Sequence, residues 1–139
     1  AYTSNGIEFF PVSVGNPHAV CLAQPKISEK EMVELGQHLQ ESTCFPEGIN
    51  VEVVRPGNTA GHWHACFIER GVGITQSSST GCAAVFAVLR KQRLAARTTV
   101  LFSTGGPGIH VNGNLDGITV ENTTQIVYKG EYAPPSQNN

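Results

Sequence analysis

The stretch Gly81-Cys-Ala-Ala-Val-Phe-Ala-Val-Leu89 constrains this chain more than any other. It is built from helix-compatible apolar residues with no polar stripe, and a helix that is apolar on every side must be enclosed by the rest of the molecule. Four hydroxyl residues, Ser77, Ser78, Ser79 and Thr80, stand directly before it. They supply capping oxygens, so the helix is expected from Thr80 or Gly81 to about Leu94. What surrounds it reads as β: runs at 7–14, 18–23, 49–55, 62–69, 98–103, 107–112, 115–121 and 125–129. Turn signals fall at Gly15-Asn16-Pro17, at Gly57 to Gly61 and at Asn112-Gly113-Asn114. A capping box, Ser28 to Glu31, opens an amphipathic helix over 29–40, with Met32, Leu35 and Leu39 at helical spacing. The expected class is α+β: a β-sheet curled around a central apolar helix, with one additional amphipathic helix.

At 139 residues the chain is one domain by size, taken as 1–133, followed by a polar tail at 134–139 expected to be disordered. Charged residues make up 14%, with 15 glycines and 8 prolines, a composition that fits a turn-rich globule and excludes a coiled coil. The net charge of −2 argues against a nucleic-acid partner. The basic cluster Arg90, Lys91, Arg93 and Arg97 reads as a solvated face complementing a helix C-terminus. The four cysteines, Cys21, Cys44, Cys66 and Cys82, form no Cys-x-x-Cys pair and read as reduced thiols. No run approaches the roughly 18 apolar residues of a membrane helix, and no signal peptide stands out, so a cytoplasmic setting is expected. The chain opens on Ala1, and a fragment or one domain of a longer protein is expected.

Chemistry concentrates before the apolar helix. A helix N-terminus holds anions through its unpaired N–H groups and the positive end of its dipole. Glu69 and Arg70 precede a Gly71-Val72-Gly73 turn that can redirect them toward a loop-built pocket, where Arg takes a carboxylate and Glu an ammonium. As an isolated pair they would be a surface salt bridge. His18, after Asn16-Pro17, can relay or stabilise charge near neutral pH. His62 and His64 share a strand face, but His-x-His without a third ligand is too little for a metal site, and none is assigned. Cys82, one turn inside the helix, reads as a small core residue.

These motifs, taken in order, resemble the C-terminal half of diaminopimelate epimerase and related cofactor-independent amino-acid racemases. Gly15-Asn16-Pro17-His18, Phe45-Pro46 with Asn50-Val51, Glu69-Arg70-Gly71-x-Gly73-x-Thr75, Gly105-Gly106 and the closing Val127-Tyr-Lys-Gly-Glu131 carry the likeness across residues 12–131. The resemblance implies a fold in which each half of the enzyme is a sheet wrapped about one helix. It further implies inversion of an amino acid's α-carbon by two facing cysteines, one from each half, on the lysine and peptidoglycan route. No pyridoxal or metal cofactor is implied. A diaminopimelate-like substrate and an N-terminal half, on the same or a second chain, are the implied partners. Asn16, Asn50, Glu69 and Arg70 would hold the distal groups of the substrate; Ser79 and Thr80 would stand beside its carboxylate. His18 and Glu69 would assist catalysis. The departure is at the catalytic cysteine: where the family reads Ala-Cys-Gly-Thr-Gly, this chain reads Ser77-Ser78-Ser79-Thr80-Gly81. A serine hydroxyl needs an adjacent base to act, so the chain alone is expected to be inactive. The competing class is a non-catalytic homologue that binds an amino acid or pairs with another chain. A racemase for another amino acid is a further option.

Overall fold

The structure, a computed structural model, describes residues 1–103, 107–114 and 116–133. Strands β1 (Tyr2–Ser4) and β2 (Ile7–Ser13) form a hairpin at Asn5-Gly6. Both turn residues have positive φ, 50° and 75°, which a two-residue loop of this hand requires. β3 (Pro17–Leu22) returns antiparallel to β2, and α1 (Glu29–Gln40) then carries the chain across to β4 (Asn50–Pro56), parallel to β3. β5 (His62–Glu69) folds back on β4, and the short β6 (Gly73–Thr75) folds back on the end of β5. A second crossover, α2 (Ser79–Lys91), leads to β7 (Thr98–Phe102), parallel to β5. β8 (Ile109–Gly113) and β9 (Ile118–Glu121) complete the sheet antiparallel. The strand order is β1-β2-β3-β4-β5-β7-β8-β9, with β6 beside β5.

Strand alternation distributes the core to both faces of this sheet. Val51 and Val53 of β4, with Cys66 and Ile68 of β5, meet Met32 and Leu39 of α1. Val54, Ala65 and Phe67 point the other way, into a cluster with Cys82, Val85, Phe86 and Leu89 of α2. α2 touches β2, β3 and β4 on one side and β8 and β9 on the other. The sheet therefore curls around the apolar helix, as its all-round hydrophobicity demanded. α1 packs on the outer face against β4 and β5, and a Cβ at its buried Gly36 would run into Ile68 and Val53.

Several boundaries differ from expectation. α2 begins at Ser79, because Ser78 is its N-cap and accepts from the Gly81 N–H. The turn between β8 and β9 lies after Gly113, where the Asn114 side chain accepts from the N–H groups of Asp116 and Gly117. β1 and β6, three residues each, were not foreseen. The segment 125–129, expected as a strand, forms none, and Ile126, Val127 and Tyr128 are exposed. Aromatic and β-branched residues favour a strand only where a neighbouring edge receives them. Gly105-Gly106 and the tail at 134–139 lie outside the described residues. Among those described, no helix is long and apolar enough to cross a membrane.

Candidate functional site

Three strand ends and one helix N-terminus converge on the inner face of the sheet. His18 is the second residue of β3, Asn50 the first of β4 and Glu69 the last of β5. His18 and Asn50 are register partners, and Glu69 lies one position beyond the Val51–Ile68 pair. By alternation His18 shares the face of Val20, Asn50 that of Val54, and Glu69 that of Phe67, so all three look toward α2.

Hydrogen bonds tie these positions together. Asn50 Nδ2 donates to the Pro17 carbonyl at 3.0 Å, and its Oδ1 accepts from the Arg70 N–H at 3.0 Å. One side chain thus fixes the approach to His18 and the exit from Glu69. His18 is fully buried, with Nδ1 2.7 Å from Glu52 Oε1 and Nε2 3.0 Å from Asn16 Oδ1. Glu52 abuts the first turn of α2: a Cβ at Gly81 would come 2.9 Å from its Oε1. Gly81 in turn donates its N–H to Ser78 Oγ at 3.2 Å. A continuous path therefore runs from Asn16 through His18 and Glu52 to the N-terminus of α2.

Glu52 was not singled out in the sequence. Its signal was a carboxylate inside the run Val51-Glu-Val-Val54. It is 1% exposed, and its Oε2 has no hydrogen-bond partner among the described residues. Burial pushes its carboxyl above the ordinary range; His18 opposes that shift and the Glu69 charge adds to it. The same carboxylate, after burial itself, helps push the Cys21 and Cys82 thiols up to about 12. Cys82 is fully buried beside Ser78, as a core residue should be, and is no ready thiolate.

The remaining positions are more dispersed. Arg70 is exposed, and its side chain lies over Gly48, whose φ of +72° lets the loop pass beneath; Nη1 donates to the Glu47 carbonyl at 3.4 Å. Ser79 and Thr80 are exposed on the first turn of α2, and Thr80 Oγ1 lies 3.5 Å from Ser78 Oγ. Neither recorded partner of Ser78 Oγ, an amide N–H and a hydroxyl, is a base. A cleft of about 170 Å³ next to this turn is lined by Gln76, Ser77, Ser103, Pro107, Ile109, Asn122 and Thr123. Among the described residues no group of three His, Cys, Asp or Glu side chains is placed to hold a metal ion.

The diaminopimelate epimerase family matches residues 10–133. The chain belongs to that family. It is 35% identical over 127 residues to the diaminopimelate epimerase of Geobacillus kaustophilus, covering 90% of this chain and 43% of that protein. With the diaminopimelate epimerase of Blochmanniella pennsylvanica the identity is 32% over 120 residues, covering 86% and 43%. The chain thus spans less than half the length of these curated epimerases. A crystal structure of a phenazine biosynthesis protein from Bacillus anthracis shares the fold, with a TM-score of 0.55 at 13% identity over 76% of this chain and 34% of that one.

Proposed function

We propose that this chain is the C-terminal half of a diaminopimelate-epimerase-like isomerase, acting on a diaminopimelate-like amino acid of the lysine and peptidoglycan route. The path from Asn16 through His18 and Glu52 to the N-terminus of α2 carries the reading. It brings amide donors, an imidazole and a helix N-terminus to one face, a set suited to a zwitterion with more than one carboxylate. Asn16, Asn50, Glu69 and Arg70 hold the distal ammonium and carboxylate, and the amides behind Ser78, Ser79 and Thr80 receive the reacting carboxylate. Inversion needs proton transfer on both faces of the α-carbon. The second face comes from an N-terminal half, on the same or another chain. No pyridoxal or metal is required, and a cytoplasmic setting accords with the route.

Ser78 supports a second reading. Its hydroxyl caps α2, and among the described residues its hydrogen-bond partners include no base, which favours a homologue that binds the amino acid without inverting it, or that pairs with another chain. Exchange of the diaminopimelate α-proton in deuterated water separates the two. The isolated chain is expected to show none above background; recombined with a complementary N-terminal half, it should gain exchange as Ser78→Cys and lose it again with Arg70→Ala. Binding by calorimetry without exchange in that Ser78→Cys assembly would favour the binding module. Exchange by the isolated chain that is lost on Ser78→Ala would overturn the two-half account.

A further inference from the structure

Among the described residues Glu52 is the one fully buried carboxylate, no contact with substrate is assigned to it, and its geometry restricts what Asn16 can offer a ligand. His18 sits between two oxygens, Glu52 Oε1 at Nδ1 and Asn16 Oδ1 at Nε2. Two placements of the shared proton on the Glu52–His18 pair leave an N–H at Nε2. A carboxylic acid donating to Nδ1 leaves a neutral ring with its N–H at Nε2, and a carboxylate accepting from a charged ring leaves an N–H at Nε2 as well. Nε2 becomes an acceptor in two other states: an acid with its O–H on Oε2 and Oε1 accepting from Nδ1–H, which leaves a buried donor without a partner among the described residues, or loss of the proton, which strands a net negative charge in the core.

The surroundings oppose that loss. Glu52 and His18 are each 1% exposed, and Glu52 Oε2 has no hydrogen-bond partner among the described residues to stabilise an anion. Glu69 from β5 adds negative charge, while the thiols of Cys21 from β3 and Cys82 from α2 stay protonated through the neutral range and offer no countercharge. With an N–H at Nε2, the Asn16 amide must turn its oxygen to the ring.

We propose that Glu52 is a positioning residue which, through His18, locks Asn16 with its carbonyl inward and its NH2 toward the ligand, making Asn16 a donor to a substrate carboxylate. This rests on the reading of Asn16 as a substrate-binding residue, whereas the proton on Nε2 can be tested without substrate. In 1H–15N spectra of the 15N-labelled chain at neutral pH, the His18 ring N–H is expected at Nε2. Glu52→Gln, an isostere of the protonated acid, should preserve that signal, and Glu52→Leu should let the ring sample both tautomers. An unprotonated Nε2 at neutral pH in the unsubstituted chain overturns the proposal, and this result needs no variant to fold.

The ligand arm uses diaminopimelate and the chain recombined with a complementary half. Asn16→Asp, which exchanges the donor for a charge, is expected to weaken binding at least ~10-fold, the scale of one charge-assisted hydrogen bond. Glu52→Gln should stay within about twofold, the precision with which one neutral contact is read. Unchanged or tighter binding by Asn16→Asp would mean that Asn16 presents its oxygen, and the positioning role fails. No binding by any form, with Nε2 still protonated, overturns the substrate reading alone.

Discussion

Gly81 shows how closely the site and the core are joined at single-residue scale. An alanine Cβ there would lie 2.7 Å from Phe67 Cδ1 and 2.9 Å from Glu52 Oε1, both atoms of fully buried side chains. Replacing glycine by alanine inside a helix gains up to about 1 kcal/mol of propensity, but overpacking a filled core costs about 1–3 kcal/mol. In urea titration Gly81→Ala should therefore lower stability, by up to about 2 kcal/mol when the propensity gain is realised in full, and the shift of Glu52 should disturb the His18 ring signals. His18 and Glu69 stood out near the turns at Pro17 and Gly71, and Asn16 and Asn50 through the resemblance of their motifs to the family. Glu52 did not. An acidic residue within an alternating strand reads as facing water until it is known that α2 lies across that face, and that is set by a crossover far along the chain.

At the scale of elements, the ends of the two helices were legible to different degrees. The capping box of α1 is a local pattern, and Ser28 and Glu31 satisfy each other's backbone N–H groups as expected. α2 offered four successive hydroxyls, so its first residue could not be chosen until Ser78 was seen accepting from Gly81. Ser78→Ala is expected to cost about 1 kcal/mol, the usual value of a lost cap, and Ser78→Asp to recover most of it. Thermal unfolding of the two variants measures the difference, and recovery by Asp would show that the hydroxyl's present work is structural. The three-residue strands β1 and β6 carried too little periodicity to be seen. Segment 125–129 carried enough, but β-propensity does not state whether an edge is present to receive it.

For the molecule as a whole, the two sides of the sheet are coupled to pH through buried thiols. Cys21 lies in the α1 core and Cys82 in the α2 core, each pushed up from 9.0 to about 12. A raised folded-state value contributes stability that is fully present below about pH 9 and is lost as pH rises through 12, because the unfolded chain releases those protons first. Each thiol then costs about 1.4 kcal/mol per pH unit in that window. Denaturant midpoints measured from pH 8 upward should fall above about pH 9, where burial also raises the Cys66 thiol, and Cys82→Ala should make that fall less steep. Glu52 is raised too, so its contribution is full below its ordinary value of 4.5 and declines as pH rises above it.

The margins of the sheet have a consequence for how the chain behaves in company. The strand order ends in β1 and β9, three and four residues long. An open sheet recruits other chains through rows of unpaired N–H and C=O groups on its outermost strands, and short edges shrink that template. Among the described strands β1 covers only Ile7–Phe9 of β2, so Phe10–Ser13, interrupted by Pro11, are the rest of the edge on that side, and little continuous backbone is offered on which edge pairing can start.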